Sequence, residues 1–214
     1  MKINVEQEDA GFIQRFFAQP TTEVDPQSEQ GERLRHALNN AYQQQRSETD
    51  REWKTSLTFI VLFLFLYILL GASLTLNLSP KPGDRKTIEI ALEAVPVLLS
   101  FSGFFVSVLF VFFARGCARR KSNWERTLGV LEKYSGGEMY NQTLQRGATT
   151  TDYSLSAINI ALALFICVTW VVMYNYFTFT TSGVIGSVIS LFITTMVYVI
   201  LDIQLLKSSR AQAE

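Results

Sequence analysis

Glu89 and Glu93 stand one helical turn apart at the edge of an apolar run, and Asp202 lies near the end of another. Carboxylates in such places can do one of two things. They can draw cations to the mouth of an oligomeric pore, or they can sit at the interface and reach water or neighbouring basic groups. The middle of every apolar run is free of ionisable residues. That lowers the case for a proton-coupled transporter, whose carboxylates lie deeper. No phosphate-binding glycine loop, HExxH or nucleophile elbow is present. Ser102, Ser107, Ser187 and Ser190 have no partner base nearby in sequence, so no enzymatic activity is expected. His36, within Arg33-Leu34-Arg35-His36, reads as a solvated helix-face residue. Cys117 and Cys167 do not form a metal or disulfide pattern, although Cys117 beside Arg115 and Arg119 is a candidate for acylation. No metal and no cofactor is expected.

The elements that carry these residues are mostly apolar. The chain has 214 residues, 48% hydrophobic, and a formal charge of zero, so nucleic acid is not an expected partner. Four runs are long enough to cross a bilayer as helices, which takes about 20 residues each: 57–76, 94–114, 155–177 and 184–206. The expected fold class is all-α: a polytopic integral membrane protein with four transmembrane helices in two hairpins and a small helical cytoplasmic layer. The expected divisions are a cytoplasmic N-terminal segment 1–53, mostly helical; a first transmembrane hairpin 54–114; a cytoplasmic amphipathic-helix loop 115–153; a second hairpin 154–206; and a cytoplasmic tail 207–214. No cleavable signal peptide is apparent, so the first run is expected to act as an internal anchor.

Basic residues set the orientation. Of the 19 Lys and Arg, 16 fall in the N-terminal segment, the central island and the tail, and only Lys81, Arg85 and Lys86 fall in the short connections. Positive residues stay on the cytoplasmic side, which places both termini there, in what reads as a bacterial inner membrane. Trp53 on the inner side and Tyr174 and Tyr176 on the outer fit an aromatic belt. Asn77 and Asn141 head glycosylation sequons with little expectation of use.

Two polar stretches are patterned. Asp25-Pro26 predicts a helix start that leads through Leu34, Leu38 and Ala41 towards the first run. Upstream, Phe12, Ile13, Phe16 and Phe17 pair at i, i+4. In the central island, Ser122-Asn-Trp-Glu125 predicts a capped start for an amphipathic helix carrying Trp124, Leu128, Leu131 and Tyr134 on one face. A second short helix is expected over 138–146. Both apolar clusters could pack on each other or dock a partner protein.

Inside the membrane, small residues offer the best packing signal. Ser182, Gly186, Ser190 and Thr194 recur every four residues, with Gly103 and Ser107 in the second run and Ala157 and Ala161 in the third. Such faces allow close helix approach, within one chain or between copies. The expected partners are the lipid bilayer and either another protein or further copies of the chain.

The layout over 32–140, a polar helix before the first span and an amphipathic helix after a hairpin, is similar to small bacterial membrane effectors of the SLATT class associated with phage defence. Those are described with two spans where this chain has four, and no residue role is carried over. The leading expectation is a non-enzymatic scaffold or anchor that presents cytoplasmic helices. An oligomeric pore or membrane-perturbing effector comes second, and a small-molecule or ion transporter third.

Overall fold

In a computed structural model the described backbone covers residues 3–75, 85–135 and 155–211, with side chains described for 3–75, 94–135 and 156–204. The expected helix over 138–146, both sequons and the tail beyond Ala211 lie outside it. So do the side chains of Glu89 and Glu93. The elements run β1 (Ile3–Asn4), α1 (Ala10–Phe17), β2 (Glu23–Val24), α2 (Glu29–Thr75), α3 (Arg85–Ser135) and α4 (Leu155–Ala211). Three of these helices are long and apolar enough to cross a membrane, within Glu29–Thr75, Ala94–Ser135 and Ser156–Gln204. The protein is therefore helical and membrane-type, with one two-residue antiparallel ladder among the described residues, Ile3 opposite Val24 and Asn4 opposite Glu23, that the sequence pattern does not announce.

Two helix starts differ from the sequence expectation. Asp25 does not cap α2. Its carboxylate accepts the Gln27 N–H at 3.1 Å and its carbonyl accepts the Ser28 N–H at 3.0 Å, which makes a turn. The helix begins with Ser28, whose carbonyl accepts the Glu32 N–H at 3.1 Å. Ser122 likewise starts nothing, because α3 runs unbroken from the apolar run through the basic island to Ser135. A capping box supplies acceptors to donors that would otherwise be orphaned. In a continuous helix those donors already have partners, so the motif is idle.

By contact the chain divides into two compact units, one from Met1–Trp53 and Cys117–Ser154, the other from Lys54–Gly116 and Leu155–Glu214. In the first, α2 and α3 bury Leu34, Ala41, Leu128, Leu131 and Tyr134 against one another, and Ile13 and Val24 close the cluster. In the second, Phe63, Leu66 and Leu70 of α2, Phe104, Val108, Phe110, Val111 and Ala114 of α3, and Ala163 and Trp170 of α4 form the core. Of the most apolar window of each helix, 44% is buried in α3 but only 17% in α2 and in α4. Within this unit α3 is thus the central helix, and α2 and α4 offer apolar faces to whatever surrounds it.

α4 is not one rod. Gly183 has φ 65° and ψ −153°, a region in which a Cβ clashes and which is in effect reserved for glycine. Ser190 Oγ donates to Asn175 Oδ1 at 2.7 Å. Along a straight helix those residues would be about 22 Å apart, so the chain folds back at Gly183. Asn175 is the polar fastener between the two arms, taking a second hydroxyl from Ser187 at 3.3 Å. Replacing it by Leu is expected to cost about 1 kcal/mol, the scale of interhelical hydrogen bonds in membranes, measured by unfolding in mixed micelles. An Asn175→Leu protein as stable as wild type would show that side-chain packing alone holds the turn.

Candidate functional site

The small-residue positions are largely consumed within the chain. Ser190 and Thr194 are buried, Gly186 is half-buried and Ser182 is exposed. A methyl group on Gly186 would come within 2.7 Å of the Thr178 carbonyl oxygen, so this stripe lines the fold-back of α4. Gly103 is buried under Trp170, where a methyl group would overlap the indole ring. Ser107 is fully buried and its hydroxyl donates to the Phe104 carbonyl at 2.6 Å. Ala157 and Ala161 remain exposed.

Trp170 is the hub of the second unit. It is fully buried, stacks on Tyr67 with ring centroids 4.6 Å apart, and its Nε1 has no hydrogen-bond partner among the described residues. Tyr174, expected in an outer aromatic belt, is instead 7% exposed and packs on Phe101 at 5.4 Å. Its neighbour Tyr176, half a turn round the helix, is 62% exposed, and so is Trp53 at 66%. Helical phase decides which aromatic faces outward, and nearness to a span end does not.

The two apolar clusters of the polar stretches meet. Ile13, Leu128, Leu131 and Tyr134 are buried in one core, and Phe12, Phe17 and Trp124 pack partly buried against it. Phe16 is the one with a large exposed fraction, 38%, its ring stacked on Phe12. What fastens α1 to the end of α3 is polar. The Tyr134 hydroxyl donates to Asp9 Oδ2 at 3.0 Å and accepts the Glu6 N–H at 3.0 Å. Lys133 Nζ lies 2.6 Å from Glu6 Oε2 and 3.0 Å from Asp9 Oδ2. The sequence offers no signal for this clamp, because its members are more than 120 residues apart.

Partial burial by itself would lower the Lys133 pKa. Hydrogen bonds to Glu6 and then Asp9 outweigh it and hold the ammonium above the ordinary lysine value. Burial likewise pushes the Tyr134 phenol up. A group raised on folding stabilises below its unfolded pKa and loses that contribution as pH climbs through the folded one. The clamp is therefore expected to hold unchanged from neutrality to about pH 10 and to weaken above 10.5, the free-lysine value. In thermal melts, the difference between wild type and Lys133→Gln should close over that alkaline range. A difference that does not shrink at all between pH 10 and pH 12 would rule the ion pair out as its source.

Near the start of the basic island, Arg120 contacts Glu48 at 3.5 Å, and its guanidinium donates to the buried Cys117 sulfur at 3.3 Å. A thiol so covered is poorly placed for acylation. Asp202 is half-buried, near the end of the second arm of α4. Glu89 and Glu93 fall on one face of α3 by their spacing. Among the described residues no group of three or more His, Cys, Asp or Glu is placed to hold a metal ion.

Three helices of this chain have the length and apolar composition of membrane spans. No curated protein and no solved structure matches the chain. A family match does exist over residues 36–180, more than half of the chain, running from the polar part of α2 into the first arm of α4. The chain belongs to the octameric membrane protein family, 8xMP.

Proposed function

We propose that this chain is one subunit of an octamer that works as a non-enzymatic scaffold in a bacterial inner membrane. Each copy crosses four times, with the helices up to and beyond Gly183 forming the last two spans. Both termini and the basic island lie in the cytoplasm. What carries the reading is surface. Phe165, Val184, Ile185, Val188 and Phe192 of α4 and Ile68 of α2 are all more than half exposed, more apolar area than one subunit covers with its own helices. In a ring of copies part of that area becomes seam and part faces lipid. The family's name gives the number of copies. What supports the scaffold role is the set of folded helices outside the apolar runs, which carry exposed Phe16 and a long polar face of α2.

A second reading comes from the symmetry itself. Eight copies related by rotation leave an axial space, and edge carboxylates such as Glu89, Glu93 and Asp202 would favour cations at its mouth. Mass measurement in native detergent decides the assembly, where eight copies are expected and a monomer would end the proposal. Bilayer recording then separates the two roles: a scaffold is silent across voltage and pH, whereas unitary conductance would establish the pore.

A further inference from the structure

Arg115 is the first charged residue after the apolar run 94–114. Its side chain is exposed, yet it is held: Nη1 donates to the Tyr198 hydroxyl oxygen at 2.9 Å. Tyr198 is in turn stacked on Phe112, with ring centroids 5.5 Å apart and planes 25° from parallel. Because the Tyr198 oxygen accepts from Arg115, its own O–H is left to donate. Two donors, one of them a planar fork with further N–H groups, thus converge at the end of the apolar run. No carboxylate pairs with Arg115 among the described residues. Asp202, one turn beyond Tyr198 on α4, makes no ion pair with it. Towards the middle of the run from Tyr198, Leu191, about two helical turns back on the same face, and Phe192 are 50% and 69% exposed.

The geometry points to a binding site for an anionic phospholipid. The headgroup phosphate engages Arg115, Tyr198 holds the guanidinium as a positioning residue, and the acyl chains lie along Leu191 and Phe192. A guanidinium fork matches a phosphate in two parallel hydrogen bonds. A cation at the edge of hydrocarbon with no protein counter-charge is stabilised by one from the lipid. The flanking apolar side chains select a lipid over a free phosphate, which would gain nothing from them. The inference rests on membrane embedding and is independent of the number of copies.

The test uses full-length protein in micelles doped with equal phosphatidylglycerol and phosphatidylcholine, read by native mass spectrometry. Wild type is expected to retain phosphatidylglycerol several-fold over phosphatidylcholine. Arg115→Gln should bring the ratio close to one. Arg115→Lys, which keeps the charge but loses the fork, and Tyr198→Phe should fall between. Arg126→Gln, removing an exposed cation of the other unit, should leave it unchanged. The same spectra report the copy number, so loss of lipid and loss of assembly are seen separately. Equal retention of the two lipids by wild type, an unchanged ratio in Arg115→Gln, or equal protection from unfolding by inorganic phosphate alone would overturn the proposal.

Discussion

Trp170→Ala is expected to lower the unfolding free energy of the second unit by about 3 kcal/mol, the low end of the range for removing a buried aromatic side chain. The low end applies because lipid is itself apolar. Little transfer energy is lost, and what remains is the cavity and the missing contacts with Tyr67 and Gly103. Trp170→Phe should cost much less than Ala, since it keeps a ring against Tyr67 and removes an N–H with no partner among the described residues. The reciprocal change, Gly103→Val, is expected to cost about 1–3 kcal/mol through overpacking, because even a methyl group there overlaps the Trp170 ring. The two sites touch, so their effects should not add. In the Trp170→Ala background Gly103→Val should be close to neutral or stabilising. Equilibrium unfolding of the four proteins in mixed micelles tests this, and strict additivity would show that Trp170 does not occupy the space above Gly103.

Tyr134→Ala is expected to destabilise the first unit by about 3–5 kcal/mol. The phenol ring is fully buried among Leu34, Leu128 and Leu131, and its hydroxyl is the shared partner of Asp9 and the Glu6 amide. Tyr134→Phe isolates the polar share, about 1–3 kcal/mol, since it leaves the half-buried Asp9 with Lys133 alone and strands one backbone donor. Hydrogen exchange gives the readout: amides of α1 should lose protection strongly in Tyr134→Ala and moderately in Tyr134→Phe. Unchanged exchange in α1 with either variant would mean that Ile13 and Val24 hold the N-terminal arm without the clamp.

Composition and periodicity were enough to show a helical chain meant for hydrocarbon. Fourteen of the twenty residues in 57–76 are Leu, Ile, Phe or Val, and the spacing of Trp124, Leu128, Leu131 and Tyr134 marks one face of a helix whatever that face packs on. Local signals failed where a longer-range state decided the outcome. The Ser122 capping box went unused because α3 was already helical when it reached it. Asp25-Pro26 made a turn that the Ser28 hydroxyl closes by donating to the Asp25 carbonyl, and the helix began only after it.

The tertiary structure alone decided which face each residue served. A stripe of small residues has the same spacing whether it faces its own chain or another. Only the position of Trp170 over Gly103 and of Asn175 against Ser190 assigns those faces to the interior. The Asp9–Lys133–Tyr134 clamp and the Arg115–Tyr198 pair join residues 83 to 125 positions apart. Hydrogen bonds reach about 3 Å and carry no periodicity along the chain, so such partners become legible only once packing has brought them together.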